Sequence, residues 1–103
     1  FIKNIVDANL QVLNNNIFTG EIVNVGSGIP TSLNELVFII NNILGKNIKA
    51  KNISPYDGDV KHLYLDIAKA NDVLGYTLKY DLNYGIKETI DWIKKQQEII
   101  MNT

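Results

Sequence analysis

The 103-residue chain contains no cysteine, and all ten of its basic residues are lysine, so it has no arginine either. Without cysteine there is no disulfide framework, no thiolate nucleophile and no cysteine-bound zinc site, which fits a reducing compartment such as the cytoplasm. Without arginine there is no planar guanidinium to bind a phosphate or carboxylate through two parallel hydrogen bonds. These absences exclude several common kinds of catalytic and anion-binding site.

The chain also lacks long apolar runs and an excess of either charge. No segment approaches the roughly 20 apolar residues that span a bilayer, and no signal-peptide pattern is present. The formal net charge of −1 provides no basic surface for nucleic acid or anionic lipid. A chain of this length is expected to form one domain, residues 1–103, too short for a two-domain enzyme. It begins with Phe1 in a helical pattern, which is typical of a fragment of a longer chain.

Apolar residues at helical spacing predict two helices in the first half of the chain. The second, over residues 33–44, begins with a capping box formed by Ser32 and Glu35 and ends at Gly45. It is apolar on more than one face, so it is expected to pack on two sides. The first, over residues 3–15, carries an apolar stripe made of Ile2, Val6, Leu10 and Leu13.

Two further helices are predicted in the second half. Asp66 can cap a short helix over residues 67–74 that stops at Gly75. Asp81 caps a last helix whose apolar stripe continues toward Ile100.

Three segments between the helices have strand patterns. Residues 21–25 form a short β-branched run typical of a buried strand, and residues 48–53 alternate apolar and lysine residues as a half-exposed strand does. Residues 64–66 form a third, brief extended piece. Together with the helices, these segments predict an α/β fold, a small mixed helix/strand domain.

A glycine-rich turn lies between the first predicted strand and the second helix, where dinucleotide-binding loops occur. Gly26 and Gly28 have the spacing of the first two glycines of such a loop, but Thr31 stands at the third position and Pro30 removes a backbone donor. No strand ending in an acidic residue follows at the required distance. A tight turn is therefore predicted in preference to a cofactor-binding loop.

The remaining candidate residues do not by themselves define a reaction. His62, the only histidine, follows an acidic loop and could act as a base oriented by a carboxylate, but a surface role is favoured because no nucleophile accompanies it. Asp57 and Asp59 could coordinate a hard cation, but the other oxygen ligands of such a loop are missing. Several aromatic residues near the C-terminus are predicted to be core and rim residues rather than base-stacking ones: Tyr76, Tyr80, Tyr84 and Trp92.

The order of these segments resembles the C-terminal, substrate-binding part of the extended short-chain dehydrogenase/reductase family. Within that family of NAD-dependent nucleotide-sugar epimerases and dehydratases, the similarity is closest to the UDP-glucose 4-epimerase-like branch. Each stretch is weak alone, and the order of all four is specific. The stretches are Phe1–Asn9, Asn24–Gly28 with Thr31–Leu36, Gly58–His62 with Asp66–Tyr76, and Tyr84–Trp92.

The resemblance implies a nucleotide-binding loop at residues 56–62. In such enzymes an aspartate, here Asp59, contacts the nucleotide ribose, and an arginine three residues earlier binds the diphosphate. Tyr56 stands at the arginine position, a neutral phenol in place of a charged fork. Lys61 could supply the missing charge. Gly58 and His62 complete the set of expected substrate-binding residues.

The resemblance also implies what lies outside these residues. NAD would be bound by an N-terminal Rossmann half that is absent here. The Tyr-x-x-x-Lys pair of the family is not found in the chain, so no catalytic residue is expected. The fragment alone should therefore be inactive. The expected function is the nucleotide-sugar-binding part of a UDP-sugar 4-epimerase, an isomerase, which partners its own Rossmann half and is homodimeric only at full length. The alternative is a stand-alone, non-catalytic binding or scaffold module derived from such an enzyme.

Overall fold

The computed structural model of the chain describes residues 1–15 and 20–102. Within these residues the chain forms four helices and no strand. Helix α1 packs on α3, and α2 packs on α4. Side chains at the start of α1 also reach α4, as in the ion pair between Lys3 and Glu88. The helices are α1 (Ile2–Asn14), α2 (Leu33–Leu44), α3 (Ala68–Leu74) and α4 (Leu82–Met101).

The predicted α/β fold is therefore wrong for the described residues, which are all-helical with irregular connections. Alternation of apolar and polar residues indicates a two-faced extended segment, but a strand also needs a neighbouring backbone to complete its hydrogen bonds. Residue Ile48, at the start of the predicted second strand, uses a side chain instead. Its N–H donates to Asn41 Oδ1 (3.1 Å), and its carbonyl accepts from Asn41 Nδ2 (2.9 Å).

The helix ends follow the local sequence closely. The Ser32 hydroxyl accepts from the backbone N–H of Glu35 (3.2 Å), and the Glu35 carboxylate accepts from the backbone N–H of Ser32 (2.7 Å), so the predicted capping box is confirmed. Asp81 caps α4 by accepting from the backbone N–H of Tyr84 (2.8 Å). Gly45 ends α2 in the left-handed region, with φ of 62°. These ends are confirmed because capping depends on residues within one turn.

The buried core is small and lies between α1, α3 and the segment after α3. Three aliphatic residues and one tyrosine form it, with Val23, Val25, Ile67 and Val73 packed around it. The fully enclosed members are Ala8, Ala70, Leu74 and Tyr76. Small side chains at the contact between α1 and α3 allow the two helices to approach closely.

Helix α1 buries the face opposite to its apolar stripe. Asn4 and Ala8 face the core, and each is only 4% exposed. The opposite face, which we name the α1 outer stripe, consists of residues with exposed fractions of 48–77%: Ile2, Val6, Leu10 and Leu13. Helix α2 has no fully buried residue, and its half-buried side chains include residues outside the main apolar stripe, such as Ile39 and Ile43. Packing of α2 on two sides stays a prediction.

The chain as a whole exposes more surface than a compact protein of its size. Its accessible surface is 8707 Å², whereas a compact monomer of this mass exposes about 5,800 Å². Its radius of gyration is 17.6 Å, against about 13 Å for a compact domain of this length. Much apolar surface is therefore left uncovered. Among the described residues, no helix combines the length and the apolar character required to cross a bilayer.

Candidate functional site

The predicted nucleotide-binding loop contains a tight turn over residues 56–59. The Asp59 N–H donates to the Tyr56 carbonyl (3.1 Å), and Asp59 Oδ2 accepts from the Tyr56 N–H (2.8 Å). Gly58, at the third position of this turn, has φ of +91°. A positive φ at that position is a requirement that glycine meets without strain, so the local sequence determines the turn.

The turn brings three of the five predicted site residues together. Tyr56, Gly58 and Asp59 lie within it, and the Tyr56 side chain is 73% exposed. Lys61 and His62 follow on an exposed segment and make no hydrogen bond or ion pair within the described residues. Asp59 Oδ1 is also without a hydrogen bond there, so the loop presents a carboxylate oxygen, a phenol, an ammonium and an imidazole to solvent.

Neither the acidic loop nor any other described part of the chain forms a metal centre. No group of three or more His, Asp or Glu side chains lies close enough together among the described residues to hold an ion. Asp59 instead uses one carboxylate oxygen to close the turn. Within the chain, this carboxylate therefore stabilises the turn.

A cleft of about 520 Å³ begins next to the loop and separates α2 from the start of α4. The segment that follows His62 forms one wall, and the glycine-rich turn forms another. The lining is mostly apolar and includes several hydroxyl groups. Representative lining residues are Ile5, Ser27, Leu36, Tyr64, Tyr80 and Ile86.

The glycine-rich turn is closely packed rather than open. A Cβ on Gly26 would lie 3.1 Å from Leu65 Cδ1, and one on Gly28 would lie 3.1 Å from Ile67 Cγ1. Gly28 also has φ of +68°. The glycines thus permit close approach of this chain's own side chains, and the predicted structural turn is confirmed. The close approach that these glycines allow is therefore used by side chains of the chain itself, Leu65 and Ile67.

Tyr76 fixes the other side of the same turn. Its hydroxyl, on a side chain that is 1% exposed, donates to the Gly26 carbonyl (2.9 Å). Burial raises the pKa of the Tyr76 hydroxyl above its ordinary value of 10.0, and the negative charge of Asp7 adds to the rise. The prediction that Tyr76 is a core aromatic is confirmed.

Two hydrogen bonds between α1 and the segment that leads into α4 had no clear signal in the sequence. Asn4 Nδ2 donates to the Tyr80 carbonyl (2.8 Å), and Asn4 Oδ1 accepts from the Tyr80 N–H (3.1 Å). The only signal was that Asn4 and Ala8, four residues apart, share a helix face from which large apolar residues are missing.

Beside this contact, an aromatic cluster surrounds a lysine. Lys3 Nζ lies 5.6–5.8 Å from the ring centroids of Phe1, Tyr80 and Tyr84, within the range of cation–π attraction. It also lies 3.2 Å from Glu88 Oε2. Hydrogen bonds to Glu88 and to the Tyr84 hydroxyl raise the Lys3 pKa above its ordinary value of 10.5. The cluster joins the start of α1 to the first turns of α4.

The described residues therefore define a helical module with an exposed, polar turn loop beside an apolar cleft. Comparison with known proteins relates this module to one class of enzyme. The chain is similar to one part of proteins named as UDP-glucose and UDP-glucuronate 4-epimerases, which agrees with the resemblance seen in its sequence.

Three relatives illustrate the match. The chain is 40% identical, over 91% of its length, to a protein of Methanocaldococcus jannaschii provisionally named UDP-glucose 4-epimerase. It is 33% identical, over 78% of its length, to the UDP-glucuronate 4-epimerase of Thermodesulfobacterium geofontis. It is 28% identical, over 94% of its length, to the UDP-glucose 4-epimerase of Rhizobium leguminosarum bv. trifolii.

The chain spans only part of each of these relatives: 30%, 25% and 30% of their respective lengths. No family model matches the chain, and no solved structure does.

Proposed function

We propose that the chain is the nucleotide-sugar-binding part of a UDP-sugar 4-epimerase, and that the parent enzyme is an NAD-dependent isomerase. The similarity to proteins named as 4-epimerases, over 91% of the chain in one case, is the observation that carries the proposal. The exposed loop at residues 56–62, which the family resemblance assigns to the nucleotide, supports it. The 103 residues contain no Tyr-x-x-x-Lys pair for sugar chemistry, so the fragment alone is proposed to be inactive.

Asp59 has the central role in the proposed site. One of its carboxylate oxygens closes the turn with Tyr56, so the side chain is held in one orientation. The other oxygen is then positioned to accept a hydrogen bond from a ribose hydroxyl. Gly58, with φ of +91°, allows the backbone to turn at this point. The space beside it is open, since a Cβ on Gly58 would meet no atom of a non-neighbouring residue within 4 Å.

Charge for the diphosphate comes from a residue other than the usual arginine. Tyr56 can donate a single hydrogen bond through its hydroxyl, and Lys61 provides a point charge two residues after Asp59. His62, next to Lys61, can donate a further hydrogen bond from its ring. Because an ammonium lacks the paired geometry of a guanidinium, we expect weak binding of UDP by these residues alone.

The NAD site, the catalytic residues and the dimer contact are assigned to the rest of the parent polypeptide. An N-terminal Rossmann half binds NAD and carries the catalytic tyrosine and lysine, and through it the parent forms a homodimer in the cytoplasm. No nucleic-acid or membrane partner is proposed. The supporting observation is that the relatives are about three times as long as this chain.

The alternative function, a stand-alone binding or scaffold module, is favoured by one observation. Tyr56 stands where the family has its diphosphate-binding arginine, and a largely exposed phenol cannot reproduce the charge of that arginine. The coding DNA upstream of Phe1 distinguishes the two proposals. An in-frame Gly-x-x-Gly-x-x-Gly and Tyr-x-x-x-Lys supports the epimerase, and a start codon supports the module.

The direct test is C4 epimerisation of UDP-glucose and UDP-glucuronate by the full-length parent, together with UDP titration by calorimetry. Asp59→Ala should weaken UDP binding by about tenfold, because a charged hydrogen-bond partner is lost. Asp57→Ala, in the same exposed turn, is the matched control and should bind as the unaltered protein does. Equal affinities for the two variants, or a parent without epimerase activity, would count against the proposal.

A further inference from the structure

The α1 outer stripe is an apolar helix face that this chain does not cover. At about 100° per residue, its four side chains fall within about 80° of arc, opposite the side that packs on the core. Their exposed fractions run from 48% for Val6 to 77% for Leu13. An amphipathic helix ordinarily packs its apolar face on the interior of the protein. In this chain, α1 does the opposite, since its apolar stripe is exposed and the face with Asn4 and Ala8 is buried.

The stripe continues onto α4. A hollow of about 340 Å³ between the two helices is lined by residues that include Ile2 at the start of the stripe and Trp92, which is 61% exposed. A large aromatic side chain beside an aliphatic row is the composition found at the centre of protein interfaces. Because Ile2 and Trp92 line the same hollow, the stripe and Trp92 form one continuous apolar surface rather than scattered single residues.

We propose that the α1 outer stripe, together with Trp92, is the surface on which the remaining part of the parent polypeptide docks. This inference rests on the proposed function, since it takes the chain to be part of a longer epimerase. The chain spans 30% of the length of its relative from Methanocaldococcus jannaschii, so the remaining part is about twice its size. A partner of that size, attached to the same polypeptide, can cover a broad surface without the entropic cost of a separate association.

The amount of uncovered surface agrees with this occupant rather than with a second copy of the chain. The accessible surface of 8707 Å² exceeds that of a compact monomer by about 2,900 Å². Permanent interfaces bury on the order of 2,000–5,000 Å² counted over both partners, or about 1,000–2,500 Å² on each. The excess on this chain is therefore enough for one complete side of such an interface. A two-fold contact between two copies through α1 would cover the stripe but leave the cleft and the exposed face of α2 open.

The 103 residues contain no cysteine, so a single introduced thiol can be followed in this part of the parent. In the full-length parent, Leu13→Cys or Leu10→Cys places a thiol in the stripe, and Gln97→Cys places one on an exposed polar position of α4 as the matched control. The alkylation rate of each thiol is measured by peptide mass spectrometry, natively and in denaturant. We expect both stripe thiols to react at least about tenfold more slowly in the native parent than in denaturant, and the control thiol to react at similar rates in both.

Each outcome has one meaning. Fast native labelling of both stripe thiols overturns the docking proposal, and so does protection that disappears on dilution, because it would identify a second copy as the occupant. A start codon directly upstream of the Phe1 codon would also overturn the docking proposal, because the polypeptide would then lack the N-terminal part that is proposed to dock. Epimerase activity is assayed on the same preparations. An active parent with fast labelling contradicts docking alone, whereas an inactive parent with slow labelling contradicts the proposed function alone.

Discussion

The carboxamide of Asn4 makes both of its hydrogen bonds to the backbone of Tyr80, 76 residues away in the chain. It acts as a strand partner would, since it satisfies one N–H and one carbonyl of the same residue. Asn4 is 4% exposed and Tyr80 is half-buried, so the two hydrogen bonds are largely shielded from water. Such a buried amide links α1 to the segment that leads into α4, and each lost bond would leave a buried group unpaired.

Replacement of this amide should therefore be costly. Asn4→Ala removes both bonds and is expected to lower the free energy of unfolding by about 2–3 kcal/mol, as measured by urea denaturation. Asn9→Ala, on the exposed side of the same helix, is the control and should change stability by less than about 0.5 kcal/mol. Equal effects of the two substitutions would contradict the structural role assigned to Asn4.

Tyr76 provides a second prediction, in alkaline solution. Its raised pKa means that the neutral phenol is favoured in the folded state, so the stability it contributes is present below pH 10 and is lost as the pH rises through the folded pKa. Unfolding followed from pH 8 to 12 should show this loss, and Tyr76→Phe should reduce it. At neutral pH the same variant should cost about 1 kcal/mol, because the Gly26 carbonyl loses its partner. Tyr64→Phe, at an exposed position, should have neither effect.

The α2 capping box gives a prediction at the acidic end. Hydrogen bonds from the Ser32 backbone N–H, and then from the Ser32 hydroxyl, lower the pKa of Glu35 below its ordinary value of 4.5. The contribution of this carboxylate to helix stability is therefore present above pH 4.5 and is lost as the pH falls through the lower folded value. An NMR titration of the Glu35 side chain should show the lowered pKa, and Ser32→Ala should move it back toward 4.5. An unchanged titration in that variant would contradict the capping role.

The packed glycine turn can be tested against an open glycine with similar backbone geometry. Gly28 and Gly45 have φ values of +68° and +62°, but only Gly28 has a neighbour within 4 Å, the Ile67 side chain. Gly45→Ala should cost about 1 kcal/mol for backbone strain alone, and Gly28→Ala should cost more. Adding Ile67→Val should recover part of the difference, which a double-mutant cycle measures. No coupling between positions 28 and 67 would contradict the close packing.

The sequence predicted some parts of this molecule well because they depend on near neighbours. The boundaries of α2, the cap at Asp81 and the turn at Gly58 each involve residues within four positions of one another. The predicted strands were wrong for the complementary reason. Ile48 had the alternating pattern of a strand, but a ladder requires a second backbone from elsewhere in the chain, and the Asn41 side chain took that place.

The candidate site also has one part that the local sequence predicted and another part that it did not. Tyr56, Gly58 and Asp59 meet in one turn whose form follows from their order, and their role toward a nucleotide is a proposal that rests on the family resemblance. The apolar cleft beside them was not predicted, because its walls come from distant parts of the chain, such as Ile5 and Ile86. The apolar pattern of one segment does not show which distant segment it packs against.

The sequence by itself determined the helices, the caps of α2 and α4 and the turn loop, and its order of motifs carried the resemblance to an enzyme family. The cap position predicted at Asp66 is wrong, because Ile67 precedes the first residue of α3 and its side chain makes no capping hydrogen bond. Only the tertiary structure decided which face of each helix is buried. Helix α1 turns Asn4 and Ala8 inward and leaves Val6 and Leu13 outside, although its apolar periodicity predicts the opposite. The physical reason is that periodicity shows a helix has an apolar face, whereas the partner available to cover that face depends on the whole polypeptide.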